Sequence, residues 1–317
     1  MSFPVIRVGI SSCLLGNEVR YDGGHKRDRY LTDTLGRFFE WVPVCPELEL
    51  GLGTPRGTLR LVGNPQAPRL VFARTQEDIT GRMRAWSEAR VARLERLHLC
   101  GYILKSDSPS CGMERVRVYG GSGRPAKTGT GIFARVLLEG HPMLPVEEEG
   151  RLHDLGLREN FVERVFCYRR WRSLVADGRT RGTLRAFHAA HRLLLMAHSS
   201  KHLAELDRLV AGARASGRAE LEAAYGQRFM AALRIPATTR RHLAVLQHVL
   251  GCVRRDLDAG DRAEALAVLA DYARGLLPLI VPLTLLHHHL RRRPVPQLAG
   301  QVYLNPHPRE LMLRNHA

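Results

Sequence analysis

The chain has 317 residues, 44% of them hydrophobic, with six cysteines and a formal net charge of +17. At about 150 residues per domain it has room for two domains with sizeable cores, and no run approaches the roughly 18 uninterrupted apolar residues that a membrane span requires. Six cysteines in so long a chain without a secretory leader argue against a disulfide scaffold and for metal or catalytic use. A reducing, cytoplasmic address is expected, with no membrane attachment and no obligate protein partner.

Val5 to Ile10 is a short apolar run without helical spacing, which reads as a buried parallel strand emptying into Ser11-Ser12-Cys13. The loop that follows, through Arg20-Tyr21-Asp22-Gly23-Gly24, suggests a pocket wall offering a cation, an aromatic face and a carboxylate. A helix is expected over Leu31 to Phe39, then a second strand, Trp41 to Val44, delivering Cys45-Pro46-Glu47. Gly51 to Pro68 is too rich in glycine and proline for a helix and reads as a cover over the site. Gln76 to His98 has helical apolar spacing. Cys100 to Leu104 is a third strand, running into the polar loop Lys105 to Gly112, KSDSPSCG. Val116 to Tyr119 is a further strand, and Gly131 to Leu138 is ambiguous between helix and strand.

Strands alternating with helices predict an α/β three-layer, Rossmann-like domain with a mostly parallel sheet. Pro142 to Gly150 reads as a hinge, and Arg151 to Val175 as one helix closing the first domain, which places the domains at 1–177 and 178–317. The second is expected to be an all-α helical bundle, since apolar positions recur at helical spacing in Phe187–Leu209, Leu221–Leu233, Leu243–Leu257, Ala263–Leu277 and Val281–Leu290.

Cys13, Cys45 and Cys111 each lie just past an apolar strand-like run, so three strands deliver three thiols to one sheet edge, where open α/β sheets bind ligands. An iron–sulfur cluster and a zinc site both remain open, although neither the paired CxxC spacing of zinc nor the dense cysteine run of ferredoxins is present. Cys100, Cys167 and Cys252 read as small buried hydrophobes. His191, His198 and His202 share one helix face and suit either packing or metal, while His287, His288 and His289 point in different directions and read as solvated or RNA-facing.

The charge is uneven. Residues 1–150 hold 21 Lys and Arg against 17 Asp and Glu, whereas the remainder hold 27 against 14. Most of this excess is arginine, whose planar fork suits phosphate, so a polyanion is the natural partner of the second half. The candidate contacts are Arg169, Arg170, Arg172, Arg240, Arg241, Arg254, Arg255, Arg291, Arg292 and Arg293.

SSCLLGNEVRYDGG, VCPELELGLGTPR and LKSDSPSCG, in this order and spacing, resemble the iron–sulfur-dependent thiouracil desulfidase family over residues 1–150. The remainder, including HRLLLMAHSSKH, resembles the helical domain fused to that catalytic domain in bacterial tRNA 4-thiouridine desulfidases. The resemblance implies that Cys13, Cys45 and Cys111 hold a [4Fe-4S] cluster with one iron open, and that Glu47 and Ser108 are the catalytic polar residues. Ser110 and Ser106 stay open as the acting hydroxyl. Arg20, Tyr21, Lys105 and Ser110 are the candidate substrate contacts. The implied reaction converts 4-thiouridine in tRNA to uridine without net electron transfer. Two other readings stand beside it: a desulfidase of free 2-thiouracil or another thiolated small molecule, and a cluster-containing nucleic-acid sensor without catalysis.

Overall fold

The computed structural model describes residues 5–120, 124–178, 180–212, 217–254 and 257–315, and divides into two compact units, Met1–His153 and Asp154–Ala317. The first unit is built on β1 (Ile6–Ser11), β2 (Phe39–Val44), the single-turn α1 (Pro46–Glu49), β3 (Leu59–Val62), β4 (Arg69–Phe72) and α2 (Thr80–Glu95). It continues with β5 (Gly101–Leu104), β6 (Val116–Tyr119), β7 (Ala126–Gly129), α3 (Ile132–Gly140) and β8 (Val146–Glu148). One sheet, ordered β2-β1-β5-β8, is parallel at every pairing. Its central strands carry near-continuous apolar runs because parallel strands are buried on both faces; all four residues of β5 are buried.

A second sheet, ordered β4-β3-β6-β7, mixes antiparallel and parallel pairs. Apart from β6 its strands lie outside the sequence expectation, because β3 and β4 are four residues each in or beside glycine- and proline-rich chain and β7 reads AKTG. Strands this short give too few alternations to stand out as a period-2 pattern. The expected helix over Leu31–Phe39 is instead a π-type turn, Tyr30–Thr34, followed by a 3-10 turn, Leu35–Arg37. Gly36 and the Thr-Asp-Thr run before it are poor helix formers. Gly131–Leu138 resolves as helix α3. The expected hinge over Pro142–Gly150 is an ordered segment containing β8, and its glutamates Glu147, Glu148 and Glu149 are buried.

The second unit contains α4 (Leu155–Ala176), α5 (Arg181–His198), α6 (Ser200–Ala211), α7 (Arg218–Leu233), α8 (Thr239–Val253), α9 (Ala259–Ala273) and α10 (Ile280–Arg292), then short 3-10 turns. Five of these helices begin at a side-chain cap: Asp154, Thr180, Ser199, Thr238 and Asp258 each accept a hydrogen bond from a backbone N–H of the first turn. Ser199 explains why the expected continuous segment Phe187–Leu209 breaks in two. The compact units meet at residue 153/154, where sequence patterning puts the division at 177/178. The reason is that α4 buries Phe161, Val162, Val165, Phe166 and Trp171, and Trp171 stacks on Tyr225 of α7 at 5.2 Å. Helix α4 is therefore part of the helical core.

That core also holds charge. His198 Nε2 lies 2.6 Å from Glu163 Oε1, and Arg314 sits 3.4 Å from Glu159 and 3.6 Å from Glu163, with all four side chains almost wholly buried. His191 and His198 bond the carbonyls of Phe187 and Ile235 through Nδ1. Both histidines are packed rather than metal-ligating, and His289, expected at the surface, is buried.

Candidate functional site

The three cysteines reach one cavity by three local devices. After β1 the chain turns through a 3-10 turn, Ser12–Leu15, closed by Gly16 at φ +96°, a left-handed conformation that glycine adopts without strain. This turn carries Cys13. Cys45 is the residue before α1, and its Sγ lies 3.7 Å from the Val19 carbonyl. Cys111 sits in the loop after β5, and that loop is locked from several sides. The N–H groups of Ile132 and Ala134, in the first turn of α3, donate to Pro109 O at 3.2 Å and Ser110 O at 3.1 Å, so the helix's otherwise unpaired donors fix the loop. The Met113 N–H donates to Glu148 at 2.7 Å. A Cβ on Gly131 would stand 2.4 Å from the Ser110 carbonyl oxygen, so only glycine permits this approach.

The cavity, of about 290 Å³, is lined by Cys13, Cys45 and Cys111 together with Arg20, Tyr21, Glu47, Lys105, Ser108 and Ser110. With Ser106, which also lines it, these are the ten first-unit residues put forward for metal, catalysis or substrate contact. Arg56, Lys26 and Asp107 also line it and were not among them. Arg56 makes the most contacts of these three. Its Nε and Nη2 donate to Glu47 Oε2 at 2.9 and 2.6 Å, Nη2 also donates to Val19 O at 3.0 Å, and Nη1 donates to Gly53 O at 2.9 Å. One guanidinium thus ties three loops together around the carboxylate. The covering segment was expected, but nothing in its sequence marks one arginine as internal.

The other oxygen of Glu47, Oε1, accepts a 2.7 Å hydrogen bond from Ser110, and Ser110 Oγ lies 3.0 Å from Ser108 Oγ. Ser108 also accepts from the Cys111 N–H at 3.1 Å. Both serines therefore belong to one chain of polar groups ending at Glu47. Ser106 does not join it, because its hydroxyl donates to Glu149 at 2.7 Å. The Lys105 ammonium pairs with Glu149 and donates to Ser106 Oγ at 2.9 Å, so it acts first as a brace for the loop. Arg20 lies 3.6 Å from Asp22 and 5.4 Å from the centre of the Tyr21 ring, which is 41% exposed at the cavity mouth.

Burial pushes the Cys13 thiol up to about 11, raises Cys45, and raises Cys111 well above the usual thiol range. After burial, Cys45 raises both Cys13 and Cys111, and Cys13 also raises Cys111, which places the three thiols in one electrostatic neighbourhood. Metal binding here must displace protons from the thiols. Among the described residues no three His, Cys, Asp or Glu side chains converge closely enough for a single ion. Three soft donors spaced around a cavity fit a multi-iron body better than a lone zinc.

In the second unit Arg240, Arg254, Arg291, Arg292 and Arg293 are exposed. Arg169 donates to Ser173 at 3.1 Å, and Arg172 lies over the Tyr168 ring at 5.9 Å. Arg170 and Arg241 donate to the carbonyls of Pro306 and His198 at 2.6 and 2.7 Å, so each spends part of its fork on the fold itself. Arg255 lies outside the described residues. No described helix is long and apolar enough to cross a membrane.

The fold and site define a two-unit protein: an α/β unit whose strand ends deliver three thiols, a carboxylate and two hydroxyls to one cavity, followed by a basic helical unit. A 2-thiouracil desulfurase family model matches residues 8–149, and a model described as a protein of unknown function, DUF1722, matches residues 192–308. The chain belongs to the 2-thiouracil desulfurase family, in a form that also carries the DUF1722 region. It is 33% identical over 153 residues to the uncharacterized protein YbgA of Escherichia coli (strain K12), an alignment spanning 48% of this chain and 90% of YbgA. It is 32% identical over 137 residues to the uncharacterized protein YbbK of Bacillus subtilis (strain 168), spanning 40% of this chain and 87% of YbbK. A solved structure of a [4Fe-4S]-dependent thiouracil desulfidase, TudS, is 28% identical and covers 48% of this chain and 97% of its own, with a TM-score of 0.40.

Proposed function

We propose that the protein is a tRNA 4-thiouridine desulfidase that replaces the thiocarbonyl sulfur by oxygen from water. The observation that carries this reading is the placement of the Glu47–Ser110 pair in the same cavity as the three cysteine thiols. Cys13, Cys45 and Cys111 would hold a [4Fe-4S] cluster, which when bound supplies a soft Lewis acid matched to a soft thiocarbonyl sulfur.

The remaining work falls to the chain's own groups. Arg56 occupies Oε2 of Glu47, leaving Oε1 to face Ser110 and to take a proton from the attacking water. Oxygen then bonds to the ring carbon as the carbon–sulfur bond breaks, and water's two protons balance the departing sulfide, with no change in oxidation state. Ser110 and Ser108 return the proton toward the ring nitrogen or sulfur. Tyr21, half exposed at the mouth, offers a face on which the base stacks once turned out of the tRNA. The basic second unit supplies affinity and register through phosphate contacts. The family's description favours a second reading, free 2-thiouracil as substrate.

The deciding experiment is anaerobic. After cluster reconstitution, bulk tRNA containing 4-thiouridine is added, and loss of thionucleoside absorbance is followed together with sulfide release. Cluster-dependent loss supports the proposal. An intact cluster with unchanged tRNA rejects it, in favour of the free-base reading if 2-thiouracil is consumed and of a sensor if it is not. Cys111→Ala should abolish both the brown cluster absorbance and activity.

A further inference from the structure

The second sheet of the first unit has an outer face on which Val71 is buried but most of the other positions are basic or aromatic. Its inner face carries Leu61, Leu70, Val116 and Val118, packed with Ile79 and Met83. By the two-residue alternation of strands, Arg60, Arg69, Arg117 and Tyr119 point the other way. Strand register assembles them: Val62 pairs with both Arg69 and Tyr119, and Arg117 pairs with Lys127 of β7. The four strands read LRLV, RLVF, VRVY and AKTG, so they contribute four cations and no acid.

Arg69, Arg117 and Lys127 are exposed, and only Arg69 has a described carboxylate partner, Asp78 at 3.4 Å. The Arg60 guanidinium lies over the Tyr119 ring, 5.3 Å from its centre, as a half-buried cation–aromatic pair. Sheets that present aromatic rings and arginine planes among cations take single-stranded nucleic acid, because bases stack on the planes while phosphates meet the charges. Two of its strands start close in sequence to cavity-lining residues: β3 begins three residues after Arg56, and β6 five residues after Cys111.

We infer that this outer sheet face is a second RNA-binding surface, which holds the unpaired strand flanking the thiolated nucleotide beside the cavity. The inference rests on the proposed tRNA substrate. It adds that the α/β unit itself grips RNA, whereas charge counting alone points to the helical unit. An RNA strand is favoured over an anionic membrane because the face carries a cation–aromatic pair, and no exposed large apolar side chain that would insert into lipid lies on it.

The test compares tRNA binding by the full-length, cluster-loaded protein with that of an Arg69→Gln/Arg117→Gln/Lys127→Gln variant across a salt series. At about 0.7 per phosphate contact for a single strand, three lost contacts should flatten the slope of log affinity against log salt by about 2, weakening binding about 100-fold near 0.1 M salt. Ultraviolet crosslinking of the wild-type protein to tRNA should also place a nucleotide adduct on the β6 peptide containing Tyr119. An unchanged slope, adducts confined to other peptides, or lost affinity for phosphatidylserine vesicles with tRNA affinity kept would each overturn the inference. The reaction is scored separately. Desulfuration with an unchanged slope removes the surface and leaves the proposed reaction standing; slope loss and a β6 adduct without desulfuration do the reverse.

Discussion

Glu47 is held by opposite means at its two oxygens, a guanidinium on one and a hydroxyl on the other. That arrangement separates its chemistry from the cluster's. Glu47→Gln keeps the shape and one acceptor but removes the base, so turnover should fall about 100-fold or more while the cluster's visible absorbance is retained. Loss of the absorbance in that variant would instead make Glu47 part of the metal site. Arg56 is a positioning residue with a structural cost attached. Its side chain is 4% exposed and that of Glu47 13%, so Arg56→Ala leaves a nearly buried carboxylate unpaired and should cost about 3 kcal/mol of stability, read by chemical denaturation. Arg56→Lys should not restore it, because a single ammonium cannot reach Glu47, Val19 O and Gly53 O at once.

At the scale of elements, the loop holding Cys111 depends on how closely α3 approaches it. Gly131→Ala places a Cβ 2.4 Å from one backbone oxygen and 2.5 Å from the carbonyl carbon that bears it, so the loop must move. The expected result is about 1–3 kcal/mol of lost stability and poor cluster retention after gel filtration. Normal cluster occupancy with a normal melting temperature would show that the loop yields freely.

The helical unit makes a separate prediction about pH. Burial drives His191 and His242 down to about 3, and His287 and His307 down to about 4. The unfolded chain takes up these protons below about 6.5 and the folded one does not, so stability falls as pH drops from about 6.5 toward 3–4. Burial also raises Glu159 to about 7, which acts in the opposite sense, stability falling as pH rises from about 4.5 to 7. Glu163 is pushed upward by burial, but His198 and Arg314 outweigh this and hold it down to about 2, so its share is lost only as pH falls from about 4.5 toward 2. Four histidines against one glutamate decide the sign between pH 4.5 and 6.5. Hydrogen-exchange protection factors in α5 and α8, corrected for the intrinsic pH dependence of amide exchange, should be lower at pH 4.5 than at pH 7, and equal protection at both would refute it.

For the whole molecule the consequence is a division of labour between charge and chemistry. Residues after 150 carry 27 Lys and Arg against 14 Asp and Glu, while the cavity is built wholly from earlier residues. Turnover of 4-thiouridine in tRNA at limiting substrate should therefore fall steeply, by about 1,000-fold for six or more phosphate contacts, between 50 and 200 mM salt. Turnover of free 2-thiouracil should change little over that range, because a neutral base releases no counterions. Parallel salt curves for the two substrates would refute the division.

The convergence of Cys13, Cys45 and Cys111 was legible in the sequence because each follows an apolar run, and parallel strands end where open sheets bind ligands, whereas Glu47, Ser108 and Ser110 were singled out only through the resemblance of their motifs to a known family. Helical periodicity likewise located most of the second unit, since a helix's apolar stripe repeats over many turns. Other features depend on neighbours far apart in the chain. The second sheet needs four-residue strands to find partners, and the buried roles of Arg56, Glu148 and Glu149 need loops brought together from 35 or more positions away. The assignment of α4 to the helical core depends on Trp171 meeting Tyr225. Local sequence determined which chemical groups the chain could offer and where its long periodic elements lie. Tertiary structure alone decided which charges are internal braces and which hydroxyl meets the carboxylate, because burial and pairing belong to contacts and not to any one residue.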